Sequence, residues 1–149
     1  MDIGFIKENK WFRLRACGVI VRDNKILMCK NNFDDYYYSV GGAVEHNETV
    51  ENAAIREVLE ETGQDMEIDR LLCIHQNFFN KENISYHEVS FYFLMKEISG
   101  KSPLFKTEIS DNKIESTVWL DFKDFETKKV YPKWLPKILN SKEVEIITE

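Results

Sequence analysis

One stretch constrains this chain more than any other: GGAVEHNETVENAAIREVLEETG, from Gly41 to Gly63. Its second half reads as a helix from about Thr49 to Thr62, with Asn47 or Thr49 as the cap and Gly63 as the stop. Glu57, Glu60 and Glu61 then share one face, because residues three and four apart are neighbours on a helix. Like charges at that spacing cost a helix roughly 0.2–0.5 kcal/mol per pair. They also fall in the last turns, where the helix dipole disfavours negative charge. Ile55, Val58 and Leu59 recur at the spacing of a buried face. Val50, Ala53 and Ala54 fall on the carboxylate side, where small side chains let another backbone segment approach.

The text around this helix is strand-like. Phe12 to Val21 alternates and then turns apolar, Arg22 to Lys25 is a turn, and Ile26 to Cys29 completes a hairpin. Tyr36-Tyr37-Tyr38 reads as a short strand broken by Gly41-Gly42. Further strands are expected at Leu71 to Gln76, His87 to Met95 and Ser116 to Leu120, with a turn at Ser99 to Ser102. A last helix is expected over Lys133 to Leu139, with Pro132 near its start. Asn31 to Asp35 and Asn77 to Tyr86 read as loops. Several strands with one central and one terminal helix imply an α+β fold, a mixed sheet flanked by helices.

At 149 residues, with no linker, repeat or low-complexity tract, the chain suits a single domain spanning residues 1–149. A formal net charge of −6 argues against gripping a nucleic-acid backbone, which takes a basic footprint. No segment approaches a membrane span, and MDIGFIKENKW lacks the apolar core of a signal peptide. Cys17, Cys29 and Cys73 are odd in number and form no CxxC pair, so buried reduced thiols and a cytoplasmic location are expected.

Taken alone, Arg56 to Glu61 is the sort of hexamer that decorates solvated helices. The longer spacing argues otherwise. Gly42, Glu48, Arg56, Glu57, an apolar Val58, Glu60, Glu61 and Gly63 form one pattern. It resembles the signature of the Nudix hydrolases, the MutT-like pyrophosphohydrolases, written G-x5-E-x7-R-E-U-x-E-E-x-G-U with U apolar. The signature covers residues 42 to 64 and its seven fixed letters are all present. Gln64 stands where the last apolar letter is usual, Val40 where the family often has proline, and Asn47 where it often has glycine. None of the three departures touches a charged position.

The resemblance implies a Nudix-type α/β/α sandwich. It also implies a small-molecule nucleotide substrate, a diphosphate linked to another group, whose P–O–P bridge water breaks with Mg2+ or Mn2+. Carried over residue by residue, Glu57, Glu60 and Glu61 would hold the metal, and the Gly41 carbonyl would add a ligand. The physics agrees: a hard divalent cation takes several oxygen ligands, and one helix edge supplies them about 5–6 Å apart. Arg56 and Glu48 would pair to hold the loop against the helix. Glu57 is the first candidate for the general base, with Glu88, Glu108 and Glu115 open as later-segment alternatives. Relatives commonly pair, so a homodimer is one expectation.

Arg13 and Arg15, two apart on one strand face, and Lys30 at a strand end are candidate phosphate contacts. Tyr36, Tyr37, Tyr38, Phe78 and Phe79 could stack on a base, although such rings more often pack a core or an edge. His46, His75 and His87 show no metal-ligand spacing. The alternative to a hydrolase is a catalytically silent, nucleotide-sensing domain of the same fold. Such domains usually lose signature glutamates, which this chain keeps.

Overall fold

A computed structural model of the chain describes residues 1–98 and 112–149, with the backbone alone over Thr107–Ser110. The turn expected at Ser99 to Ser102 lies outside the described residues, as does the side chain of Glu108. Two mixed sheets form. In the first, β2 (Lys10–Val19) runs parallel to β8 (Ile84–Glu97), which pairs antiparallel with β7 (Met66–Lys81). β1 (Gly4–Lys7) and β12 (Glu145–Thr148) extend it at either edge, and β6 (Gly41–Ala43) pairs with β2. In the second, β4 (Lys25–Asn31) lies between β5 (Tyr37–Ser39) and β10 (Lys113–Asp121). β3 (Val21–Arg22), β9 (Thr107–Ser110) and β11 (Val130–Tyr131) complete that sheet.

The pleat sends neighbouring residues to opposite faces, and the core divides accordingly. Ala16 and Cys29 join one cluster with Val58 of α1 (Val50–Thr62). Cys17 and Met28 join the other, with Phe125 of α2 (Asp124–Thr127) and with Leu135 and Ile138 of α3 (Leu135–Ile138). Helix, sheet, helix is therefore the layer order, and the mixed-sheet α+β expectation holds with its strands divided between two sheets. Among the described residues no helix is long and apolar enough to cross a membrane.

Three expectations need correction. The buried face of α1 is Ala53, Ala54, Val58 and Thr62, whereas Leu59 is 40% exposed. The helix turns its small side so that β2 and β6 can pack close, which brings Glu57 and Glu61 inward with it. Asn77 to Tyr86 is no loop but the tip of the β7–β8 hairpin, closed by Glu82 and Asn83 at φ 51° and 64°. Two left-handed residues suit the twist of a tight hairpin, and Phe79 stacks on Tyr86 at 4.7 Å to fix its register. The last helix is a single turn, with Pro136 among its first positions.

Candidate active site

The approach to α1 is built by short-range chemistry. Thr49 caps the helix, its hydroxyl accepting from the Asn52 N–H at 3.1 Å. Gly63 ends it at φ 73°, donating to the Leu59 carbonyl at 2.8 Å. Asn47 takes φ 64°, the left-handed conformation that asparagine tolerates. Glu48 then reaches Arg56, which donates from Nε to Oε1 at 2.8 Å and from Nη2 to Oε2 at 3.0 Å. That parallel fork is the strong form of an arginine–carboxylate bond. Nη2 also donates to the Ala43 carbonyl at 3.0 Å, and Nη1 to Glu57 Oε1 at 2.8 Å. One guanidinium thus binds the strand β6, the following loop and the helix together. It holds the Glu48 carboxyl below its usual range.

The inner edge of α1 meets the two glycines. A Cβ placed on Gly42 would lie 2.5 Å from the Glu57 carboxyl carbon, so only glycine leaves that carboxylate its place. Gly41 sits at φ 156°, and a Cβ there would come within 2.5 Å of the Ala16 carbonyl oxygen. Its N–H donates to Glu61 Oε2 at 3.2 Å. Burial raises the Glu57 carboxyl, with Arg56 opposing. Burial, with Glu115 and Glu57 nearby, pushes Glu61 up to about 8. Glu60 stands further out, its side chain 53% exposed, with Arg56 Nη1 at 3.4 Å. The structure therefore brings Glu57 and Glu61 against Gly41 and Gly42, with Glu60 at the rim.

Two residues join this edge from distant sequence. The Cys29 thiol donates to Glu61 Oε2 at 3.3 Å, and Cys29, Glu61 and Glu115 each offer a ligand atom within 4.8 Å of the others. The Tyr38 hydroxyl donates to Glu115. Glu115 is thus not a solvated surface carboxylate but part of the acidic edge. The pairing of β10 with β4 sets Thr117 opposite Cys29. Glu115, two residues along, shares that face. No local pattern announces this; only the strand register does.

Glu88 is also unlike a surface carboxylate. It is 4% exposed, ion-paired to Arg13, with Arg15 Nη1 at 4.0 Å. Arg13 and Arg15 share a face as expected, and Arg13 stands 5.1 Å from the ring centres of both Trp11 and Tyr86. Lys30 is placed elsewhere. It lies on the face of β4 opposite Cys29 and donates to the carbonyls of Asn31 and Asp34, tying the 31–35 loop. The structure does not bring it to the acidic edge. The aromatic candidates engage one another: Tyr36 meets Tyr38 and Tyr131 edge-on, and Phe78 packs on His87. His75 is buried against Trp134 and Glu149.

The donor set fits a divalent cation. Carboxylates are crowded at a glycine cradle, and Glu61 has no Lys or Arg in ion-pair contact among the described residues. Oxygen ligands of this kind are what Mg2+ and Mn2+ take.

Comparison with known proteins gives the same direction. Over 87 residues the chain is 37% identical to an ADP-ribose pyrophosphatase of Methanocaldococcus jannaschii, a match covering 56% of this chain. The chain spans about half the length of that relative, 50% of it. Among solved structures, a MutT NUDIX hydrolase from Burkholderia pseudomallei superposes with a TM-score of 0.63 at 24% identity, over 87% of this chain and 98% of that one. A mutator MutT protein from Bacillus halodurans gives 0.62 at 16% identity, over 91% and 89%. At these identities the two structures speak for the fold. The NUDIX domain model matches residues 12–140, nearly the whole chain, and the chain belongs to that family.

Proposed function

We propose that this protein hydrolyses the pyrophosphate bond of a nucleoside diphosphate linked to a second group, using Mg2+ or Mn2+ held by Glu57, Glu60 and Glu61. The observation that carries this reading is the inward-turned Glu57–Glu61 edge, set against Gly42 with more buried negative charge than Arg56 alone offsets. The Gly41 carbonyl is a further candidate ligand. When bound, the cation would neutralise phosphate charge and lower the pKa of the attacking water.

Each residue of the chain has its own part. Arg56 fixes the Glu57 carboxylate through Oε1 and joins the loop to the helix through Glu48, so the ligand edge is in place before substrate arrives. Little covalent work is asked of a protein in phosphoryl transfer, and positioning does most of it. Glu57 is assigned the proton of the attacking water, with Glu115 the competing candidate that the fold brings to the same edge. Arg13 and Arg15 are assigned to the anionic substrate. They are held by Glu88, a partner whose pairing with Arg13 keeps the guanidinium oriented. Three free, buried cysteines are in keeping with a reducing compartment and hence a cytoplasmic protein.

The resemblance to an ADP-ribose pyrophosphatase makes ADP-ribose the first substrate to try. It should be run beside a nucleotide sugar, an oxidised nucleoside triphosphate and a dinucleoside polyphosphate, with products identified by mass. The expected result is a phosphomonoester product that needs Mg2+ or Mn2+ and is lost in Glu60→Gln and Glu61→Gln. A nucleotide that binds but survives overnight with metal would instead favour a sensing domain.

A further inference from the structure

We propose that the groove between α2 and α3 docks an acidic peptide segment of a partner protein, one that carries an apolar anchor. The groove belongs to the helical layer opposite α1 and rests on no part of the hydrolytic reading. Phe122, just before α2, Phe125 within it and Pro136 of α3 line its floor, and Lys123, Lys133 and Lys137 its rim. Phe125 is fixed in the core at 2% exposure, and Phe122 packs against the same cluster. The floor is therefore apolar surface held in place by the core beneath it.

The lysines of this region divide in two. Lys128 faces Asp124 at 3.6 Å and Lys129 bonds Asp35 at 2.7 Å, so their charge is answered within the chain. Among the described residues Lys123 and Lys137 have no carboxylate partner, and the Lys133 ammonium donates to the Lys128 carbonyl at 3.0 Å. The three unanswered cations are the three on the rim, where Glu126 is the single acid. From Lys123 to Lys137 the sequence carries five lysines and two acids, within a chain of net charge −6. A basic island on an acidic protein attracts an acidic partner at one place and repels it elsewhere, which is how charge complementarity sets a docking position.

Size and charge select the occupant. At about 160 Å3 the groove is well below the roughly 300–1,000 Å3 of small-molecule sites. It suits one apolar side chain, with the carboxylates on either side of that anchor meeting the lysines. A nucleic-acid backbone asks for a larger basic footprint than three lysines on a chain of net charge −6. A membrane surface asks for a long amphipathic helix, and α2 and α3 have four residues each. Exposed ion pairs contribute little individually. The buried anchor therefore supplies affinity, and the lysines supply orientation and association rate.

The test uses the full chain and a fluorescein-labelled peptide with one phenylalanine flanked on both sides by aspartate and glutamate, read by fluorescence anisotropy. Saturable binding that weakens as salt rises is expected. Lys123→Glu and Lys137→Glu should each weaken it by about fivefold or more, the size of a reversed exposed pair. Lys137→Arg keeps the charge, and Lys10→Glu makes the same reversal at the start of β2; at about 0.1 M salt both should stay within about twofold of wild type. Replacing the peptide's phenylalanine by alanine should weaken binding about tenfold or more. Should a lysine variant fail to fold by thermal melt, backbone amide shifts on adding peptide to the wild type carry the test. They are expected at Lys123, Glu126 and Lys137 and not at Gly41, Gly42 or Glu61. Absence of saturable binding, a loss in Lys10→Glu equal to that in Lys137→Glu, or equal binding of inorganic polyphosphate or of anionic lipid vesicles overturns the proposal. The readout involves no nucleotide. A protein that binds the peptide yet cleaves nothing keeps this inference and loses the proposed activity, and the converse result does the reverse.

Discussion

Around Arg56, carboxylates of Glu48, Glu57 and Glu60 converge on one guanidinium. Just beyond, Glu61 meets Glu115 and a thiol, with no arginine or lysine ion-paired to it among the described residues. The two regions share a helix and differ in how their charge is offset. In the first, every carboxylate has the guanidinium as a partner, and Arg56 draws the Glu48 carboxyl below its usual range. The second is left in excess, and burial lifts Glu61 to about 8. The first behaves as a brace that holds geometry without help. The second is destabilised until a proton or a cation arrives, which is how a fold can reserve affinity for a metal.

The variants that separate the two regions most widely are those of the second. Glu61→Gln should lower kcat/KM by about 100-fold or more, the scale on which groups stabilising developing charge act. The same change should leave the metal-free melting temperature near neutral pH unchanged or raised, because it removes a buried carboxyl that must take up a proton on folding. A matching loss of stability would break the comparison.

Next comes the brace. Arg56→Met leaves Glu48 and Glu57 facing each other without their donor, and should cost about 2–3 kcal/mol, given that hydrogen bonds to charged groups contribute about 1.5–3 kcal/mol each and this cluster is partly solvated. For a chain of this length that is roughly 5–10 °C by thermal melt. Arg56→Lys restores the charge but not the planar fork and should recover only part of it.

Gly42→Ala tests the contact between the regions. Its Cβ would press the Glu57 carboxyl from 2.5 Å. A fall of about 10-fold in kcat is expected, with the melt little changed, since a misplacement near 1 Å can cost up to about 100-fold.

pH distinguishes the regions in the metal-free protein. Glu61 binds its proton more tightly folded than unfolded. Its contribution is therefore present in full below the unfolded carboxylate range and is lost as pH rises toward about 8. Glu48 acts oppositely, contributing above that range and losing its share as the solution turns acid. Melts from pH 5 to 9 should show stability falling on the alkaline side, and the increment from Mg2+ or Mn2+ growing with pH. A flat increment would contradict the role given to Glu61. Smallest of all, Lys30→Met should change KM by no more than about twofold, because its ammonium serves the 31–35 loop; a large rise would return it to the substrate.

What was legible in the sequence was local. The Thr49 cap, the Gly63 stop, the left-handed Asn47 and the Glu48–Arg56 pairing all depend on residues within a few turns, and the signature spacing carries them. The rotation of α1 was not legible. Leu59 reads as core by hydrophobicity, yet the close approach of β2 and β6 favours Ala53 and Ala54 on the packed side. Nor was the meeting of Cys29 with Glu115, itself one of the later-segment base candidates, since it comes through a strand register that no short window encodes. Glu88 hid for the same reason: a carboxylate in an alternating strand looks solvated until β8 sets it beside β2, where Arg13 meets it. The β7–β8 tip was misread because its Glu82-Asn83 turn lacks the usual glycine.

The most direct test of the central claim is cleavage of ADP-ribose followed by mass spectrometry, in wild type and Glu61→Gln, each with Mg2+ and with chelator. The account expects a metal-dependent phosphomonoester product from the wild type with Mg2+ on ADP-ribose or another member of the substrate panel, and none from the other three samples. Equal cleavage by Glu61→Gln, or cleavage that survives the chelator, would contradict it.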